Sequence, residues 1–281
     1  MKHLRLLRIV IGLVVFLCMN VTIVTGIAAT PRVYSALERM QIVPAVLTFS
    51  VSAIVFWIAV TLLLGRVYCS VFCPLGISMD GIARVLRANT KWRMVKPYHY
   101  IGPNDILRFS ILAIFVISII AGITTFILLL DPTALYKCFT GEILYSLFHG
   151  DVPLKILGGT TIGSIMLIVL IVIMAAMRGR RYCNTVCPVG TMLSLVARYS
   201  IMTIDINTDR CTHCGKCEQI CKSQCINLRD RTVDIDRCVV CFNCINVCDN
   251  DAITYTSTRH RLSDPLMQRS TPEASTSMNK S

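Results

Sequence analysis

Four stretches of the chain, residues 6–29, 43–65, 106–130 and 156–177, are apolar almost throughout. Each meets the roughly 20 residues that a helix needs to cross a bilayer core. Arg8 and Arg108 are charges near the ends of these stretches, where long side chains snorkel to water. The fourth stretch holds Gly158 and Gly159 near its start, which softens that boundary. The first resembles a signal peptide in its flanks, with Lys2, Arg5 and Arg8 on one side and Ala28-Ala29 on the other. It exceeds the roughly 7–15 residues of a signal peptide's apolar core, so it reads as a retained first membrane helix.

Basic residues set the orientation, because Lys and Arg in short loops stay on the cytoplasmic side. The second loop carries Arg66, Arg84, Arg87, Lys91, Arg93 and Lys96, with Arg108 at its end, and the segment after the fourth stretch opens with Arg178, Arg180 and Arg181. The first and third loops carry Arg32, Arg39, Lys137 and Lys155, offset by Glu38, Asp131, Glu142 and Asp151. The expected location is the inner (cytoplasmic) membrane, multi-pass, with both termini cytoplasmic.

The chain repeats itself. Gly65-Arg66-Val67-Tyr68-Cys69-Ser70-Val71-Phe72-Cys73-Pro74-Leu75-Gly76 returns as Gly179-Arg180-Arg181-Tyr182-Cys183-Asn184-Thr185-Val186-Cys187-Pro188-Val189-Gly190. Each copy follows two apolar stretches and precedes an amphipathic segment, as in parallel repeats of one hairpin unit. After residue 200 the apolar runs vanish, and short β-like segments appear at 202–206, 232–235 and 252–255 around a run of cysteines. The expected fold is therefore a membrane all-α domain over residues 1–200, with four transmembrane helices as two repeated hairpins. A small α+β two-cluster ferredoxin-like domain follows over residues 201–260, and then a disordered tail over residues 261–281, rich in Ser, Thr, Pro and Met.

Composition sharpens this picture. The 281 residues are 54% hydrophobic and 16% charged, with formal net charge +12, and mean hydropathy is +0.63. The basic residues lie between apolar runs rather than in a nucleic-acid-binding patch, so no nucleic acid partner is expected. Fifteen cysteines in a chain that is neither small nor secreted in character point to metal or redox chemistry rather than disulfides.

Cys211-x2-Cys214-x2-Cys217-x3-Cys221 and Cys238-x2-Cys241-x2-Cys244-x3-Cys248 have the spacing of two-cluster bacterial ferredoxins. In that pattern three thiolates of one tight loop hold three irons of a cubane, and the fourth comes from the other run. The crossed assignment puts Cys211, Cys214, Cys217 and Cys248 on one [4Fe–4S] cluster, and Cys238, Cys241, Cys244 and Cys221 on the other. Lys222 and Asp249 stand where proline follows the fourth cysteine in the usual pattern. Zinc also takes four thiolates, but two complete runs with this spacing favour iron–sulfur clusters. Cys225 lies beyond its run as a spare thiol.

The repeated pairs, Cys69/Cys73 and Cys183/Cys187, form a possible further thiol site. At spacing i, i+4 the thiols of a pair share a helix face, and the following proline marks a break or the first turn of a new helix. Related by a pseudo-two-fold, four thiolates converge at the cytoplasmic surface to bind a metal or a further cluster, to act as a redox dithiol or to dock a partner. The bland alternative is that cysteine serves as a small apolar residue at a helix end. Arg66, Arg180 and Arg181 read either as positive-inside anchors or as groups that lower the thiol pKa. Cys18 reads as a packing residue and Cys138 as a lone outer thiol. Asp131-Pro132 ends the third stretch. His99 and His149 fall on opposite sides and cannot share a haem. Neither a haem-attachment motif nor a phosphate-cradling glycine loop is present, so no catalytic residue is assigned.

Four membrane helices, Cys69, Cys73-Pro74, Cys183, Cys187-Pro188 and the eight ferredoxin-type cysteines together resemble the NapH family. These are membrane ferredoxins of periplasmic nitrate reductase systems. The resemblance runs from the first helix to about Tyr255. It implies a quinol dehydrogenase component that draws on the quinone pool, with quinol as substrate. It also implies a partner redox subunit, namely a periplasmic or membrane cytochrome or iron–sulfur protein. Related modules occur in the maturation protein of nitrous-oxide reductase and in a membrane ferredoxin of cytochrome oxidase assembly that resembles a copper reductase. Three functions follow as expectations: an electron-transfer subunit working between quinol or a cytoplasmic reductant and a partner reductase system; a metal-handling assembly factor that binds or reduces copper at the paired thiols; and a redox sensor or scaffold.

Overall fold

The computed structural model describes residues 2–25, 41–42, 51–88, 97–122, 131, 136 and 159–257. Cys138, His149, most of the outer loops and the 261–281 tail lie outside the described residues. Helix α1 is Lys2–Thr25, α2 Val51–Leu64, α3 Tyr68–Val71, α4 Pro74–Ala88, α5 Asp105–Ile120, α6 Gly159–Arg178, α7 Arg181–Thr185 and α8 Pro188–Ala197. Helices α1, α2, α5 and α6 overlap the four apolar stretches. Among the described residues, one helical segment, His3–Asn20, is both long and apolar enough to cross a membrane.

The two repeats fold alike, and their sequence dictates how. Gly65 and Gly179 end α2 and α6 in the left-handed conformation, at φ +77° and +63°, donating to Thr61 O at 2.9 Å and Ala175 O at 3.2 Å. This is the glycine-terminated αL cap. One helical turn follows, α3 or α7, and carries the first cysteine of each pair. The second cysteine stands outside that turn, at the head of the next helix. Ile77 N–H bonds to Cys73 O at 3.1 Å and Thr191 N–H to Cys187 O at 3.1 Å. Pro188 occupies the first helical turn, and the Cys187 thiol accepts from Gly190 N–H at 3.5 Å. The two thiols of a pair therefore flank a helix break, because proline starts a new helix rather than continuing the old one.

The same break explains the glycine that closes each motif. A Cβ on Gly76 would lie 2.3 Å from Cys69 O, and one on Gly190 would lie 2.1 Å from Cys183 O. Each glycine admits the carbonyl of the first cysteine of its own motif. Trp57 packs edge-on against Tyr68 and Phe72, with centroids 4.7 and 4.8 Å apart. The two motifs then merge into one core that holds Cys69, Cys73, Cys183 and Cys187 with Met79, Phe115 and Leu193.

The cysteine-run domain is built from β1 Thr203–Ile206, α9 Lys216–Ile220, β2 Ile226–Asn227, β3 Thr232–Val233, α10 Asn243–Val247 and β4 Ile253–Thr256. Strand β1 pairs antiparallel with β4, from Thr203↔Thr256 to Ile206↔Ile253. Strand β2 pairs with β3 as Ile226↔Val233 and Asn227↔Thr232. Its short strands fall close to the three β-like segments of the sequence. Strand β2, two residues long, is the one that periodicity does not reveal.

This domain docks on the motif ends of both repeats. Ile201 N and Met202 N donate to Leu62 O and Leu63 O at 2.7 and 3.0 Å, Arg180 N donates to Lys222 O at 2.9 Å, and Tyr98 N donates to Gln219 O at 3.2 Å. Tyr255 OH reaches Leu64 O at 2.9 Å.

Replacing Gly76 or Gly190 by alanine is expected to destabilise the protein by about 1–3 kcal/mol through overpacking. Gly81→Ala within α4, where a Cβ meets nothing within 4 Å, is expected to be neutral or to stabilise by up to about 1 kcal/mol. Thermal unfolding in detergent compares the three variants, and equal melting points would refute the steric reading of the motif glycines.

Candidate metal centre

The two cysteine runs adopt one local conformation twice. Left-handed backbone recurs at matched positions: His213 and Val240 (φ 56° and 50°), Gly215 and Phe242 (79° and 58°), and Gln224 and Asp251 (52° and 48°). For a β-branched residue such as Val240 this region is a genuine outlier. Strain of this kind persists only where the surroundings enforce it. Alternation of left- and right-handed residues turns successive N–H groups inward, the nest geometry that cradles anionic groups including iron–sulfur clusters. Ala252 N–H donates to Cys248 Sγ at 3.3 Å. At the matched place in the first run, the backbone of Ser223, Gln224 and Cys225 wraps Cys221, and Gln224 N–H donates to its carbonyl at 3.0 Å.

The geometry brings together thiols that the crossed assignment groups. One cavity of about 110 Å³ is lined by Cys211, Cys214, Cys217 and Cys248, together with Ile206 and Leu228. The Cys244 thiol lies within electrostatic reach of Cys241, Cys238 and Cys221, and also of Cys217 in the neighbouring set. The two thiol sets are therefore adjacent. Cys214 in the first set is exposed, whereas Cys221 and Cys244 in the second are buried. Burial pushes the Cys244 and Cys241 thiols up and the Cys217 thiol up to about 11, since a bare thiolate is costly away from water. A cationic iron core offsets that cost and takes the thiolates as ligands. Nest geometry, a thiol-lined cavity and buried sulfur all fit [4Fe–4S] clusters.

The two departures from the ferredoxin pattern each form an ion pair. Lys222 Nζ lies 3.4 Å from Asp80 Oδ1, on the repeat module. Asp249 pairs with Lys216 of the first run at the exposed surface. Both positions have exchanged a proline for a charge with a partner, and Lys222 uses it to dock the domain.

Arginines brace the paired thiols reciprocally. Arg66, from the first motif, donates to Cys183 O at 3.3 Å, Asn184 Oδ1 at 2.8 Å and Asp236 O at 3.0 Å. Arg180, from the second, donates to Cys69 O at 2.6 Å, Gly76 O at 3.1 Å and Asp80 Oδ1 at 2.8 Å. Both are fully buried, so they act as internal struts and not as surface anchors. Nor do they win the contest over the thiols. Burial pushes Cys183 up to about 11 against the pull of Arg180 and Arg66, and burial with the neighbouring thiols drives Cys73 and Cys187 higher still. Arg8 and Arg108 also differ from the snorkelling expectation. Arg8 donates to Asp80 Oδ2 at 2.6 Å, Ser70 O at 3.4 Å and Cys241 O at 3.0 Å. Arg108 is buried against Asp236 Oδ2 at 3.2 Å and against the Ser194 hydroxyl. Charge counting along a sequence cannot see these partners, which come from residues far along the chain.

All four motif thiols, Cys69, Cys73, Cys183 and Cys187, share one buried core, and the Cys183 thiol contacts Met79 Sδ at 3.7 Å. Among the described residues, no group of three or more His, Cys, Asp or Glu side chains is arranged to hold a single metal ion. Cys225 is buried 3.5 Å from Cys221 Sγ. Cys18 faces outward from α1. His99 is exposed beside Glu218, and Asp131 is buried.

Comparison with known proteins finds a likeness to an iron–sulfur family in the repeats. Residues 46–93 and 160–202 each match the 4Fe-4S binding domain family. These segments are the two motif copies, and both end before Cys211. The methylamine utilization ferredoxin-type protein MauN of Paracoccus denitrificans is 29% identical over 161 residues, covering 56% of this chain and 48% of MauN. YccM of Escherichia coli, described as a proposed electron transport protein, is 23% identical over 181 residues, covering 64% of this chain and 48% of YccM. An uncharacterized protein of Methanocaldococcus jannaschii, MJ0749, is 34% identical over 59 residues, covering 21% of this chain and 24% of that protein. The chain spans about half the length of MauN and YccM. No solved structure matches it. The chain thus carries two segments similar to the 4Fe-4S binding domain family and a weak likeness to ferredoxin-type and electron transport proteins.

Asp80 is the pivot of the site's electrostatics. Burial alone would raise its carboxyl, but Arg180, Lys222 and Arg8 hold it well below the usual carboxylate range. Asp80→Asn leaves three cations together in the interior, and the expected loss is about 3–5 kcal/mol, as for other broken buried pairs. Lys222→Met, which leaves two cations on the carboxylate, is expected to cost less. Thermal unfolding at neutral pH ranks the two, and a silent Asp80→Asn would show that the network is not under this constraint.

Proposed function

We propose that the chain is a membrane-embedded electron carrier of the NapH type, passing electrons between the quinol pool or a cytoplasmic reductant and a partner redox subunit. One observation carries this reading. The second thiol set sits in the interface with the repeat module: Cys241 packs against the core that holds the four motif thiols, and its carbonyl is gripped by Arg8 of α1. The first set lies outward, with Cys214 exposed to a soluble donor or acceptor. A relay from the surface through adjacent clusters to the membrane module follows from that order. Each [4Fe–4S] cluster supplies one-electron transfer when bound. The chain's own residues orient the thiolates, exclude water from the inner set and hold the domain against the helices.

Apolar surface supports the membrane setting. Leu6, Val10 and Leu13 of α1, Val51 and Val55 of α2, Ile106, Ile117 and Ile120 of α5, and Met166 and Met177 of α6 all face outward. Outward apolar faces on four helices are untenable in water and natural in lipid. The four-span topology with both termini cytoplasmic accords with this and with the distribution of basic residues.

Anaerobic purification in mild detergent, with iron and sulfide analysis and EPR after dithionite and after a quinol analogue, tests the proposal. About eight irons per chain with reduced [4Fe–4S] signals are expected, and signals elicited by quinol would favour quinol oxidation. About twelve irons would add a third cluster at the paired thiols, where the family match falls. Zinc in place of iron would overturn the reading.

A second reading, soft-metal handling, is favoured by the four motif thiols beside the Met79 sulfur, a donor set suited to Cu(I). Copper titration against a Cu(I) chelator tests it. Tight binding that is lost in Cys69→Ser/Cys183→Ser would favour it, and binding indifferent to those changes would exclude these thiols.

A further inference from the structure

We propose that Cys225 is a fifth thiol of the inner cluster site, able to replace Cys221 as its fourth ligand; this rests on the two-cluster reading above. Cys225 lies outside both cysteine runs, yet its side chain is only 2% exposed. Its Sγ lies 3.5 Å from Cys221 Sγ, and Cys238 is its other neighbouring thiol. Cys221 and Cys238 both belong to the inner set. The thiol is therefore directed at two prospective ligands of one cluster.

The internal symmetry of the domain gives independent support. Cys221 corresponds to Cys248, Gln224 to Asp251 and Cys225 to Ala252. Gln224 and Asp251 share the left-handed turn. The residue after each lies beside the fourth cysteine: Ala252 N–H donates to Cys248 Sγ at 3.3 Å, and Cys225 stands next to Cys221. A side chain at this place thus stands beside the fourth ligand in both halves. In the outer half it is a methyl group, which offers iron nothing. In the inner half it is a thiol. Gln224 N–H bonds back to Cys221 O at 3.0 Å, and Arg237 holds Gln224 O at 3.1 Å, so the turn that presents Cys225 is fixed at both ends.

Replacement of one ligand by the other balances without a redox step. Cys225 loses its proton and forms an Fe–S bond, while Cys221 leaves iron and takes a proton. In a chain that lacks the Cys221 thiol, Cys225 binds during cluster assembly and its proton goes to solvent.

The test uses the full chain purified anaerobically, with iron and sulfide counts and EPR of the dithionite-reduced protein. Cys221→Ala is expected to keep about eight irons and two interacting [4Fe–4S] signals. Cys225→Ala is expected to keep them as well, through Cys221. Cys221→Ala/Cys225→Ala is expected to fall to about four irons while retaining the outer cluster's signal, which reports that the domain still folds. A fall to about four irons in Cys221→Ala alone, or a three-iron signal there, overturns the proposal, as does a double variant that keeps eight. If the unmodified chain itself lacks two clusters, the two-cluster reading fails and this inference fails with it.

Discussion

Two guanidinium groups, Arg66 and Arg180, sit fully buried where the halves of the repeat meet, and each ends on the carbonyl of the other half's first motif cysteine. A buried cation is tolerable only when its donors are matched by acceptors. The motif supplies them. The helix break frees carbonyls, glycine at the end of the motif lets the Cys69 and Cys183 carbonyls approach, and the partner arginine fills the space. Remove the exchange and the four thiols lose their common core. The exchange is not fully symmetric. Asp80 of the first half corresponds to Ser194 of the second, so one half has a carboxylate and the other a hydroxyl. The missing charge comes from the cysteine-run domain, whose Asp236 serves Arg108 through its side chain and Arg66 through its carbonyl. In return, that domain's Lys222 joins Asp80. Docking of the domain is therefore the completion of an electrostatic arrangement that the repeats begin.

Much of this was legible in the chain and some was not, for definite reasons. The cysteine runs announce themselves because cubane ligation imposes fixed spacing. The repeated motif is visible because two copies must build the same break. The spacing of Cys69 and Cys73 suggested one helix face, whereas Pro74 begins a second helix and separates the two thiols across a turn. Arg8, Arg66, Arg108 and Arg180 looked like interfacial charges, since orientation rules count residues and not partners. Their acceptors lie 62 to 233 residues away for Arg8 alone, a distance that no local pattern spans. Lys222 looked like a weakened consensus because its role depends on Asp80, which carries no motif of its own. Cys225 looked spare because a run is read forward, while the left-handed Gln224 folds the chain back on the run.

The two cluster sites, alike in backbone, differ in surroundings, and that difference bears on how a relay would work. Reduction adds negative charge to a cluster, so potential depends on nearby charge, hydrogen bonds and solvent. The outer set borders an exposed Lys216–Asp249 pair, neutral in sum and screened by water. Cys221 and Cys244 of the inner set are buried, which opposes added negative charge, but the set borders Arg8, Arg180 and Lys222 gathered on a single carboxylate. Burial and excess positive charge act in opposite senses there. Arg8 is the residue at the point of balance, since it binds both Asp80 and the carbonyl of Cys241. With a cluster held there, a cation in that position would stabilise its reduced form, and the same side chain fastens the domain to α1. On the proposed relay, electron transfer and domain docking would share one group, so the potential of the inner site would depend on the seating of the domain on the helices.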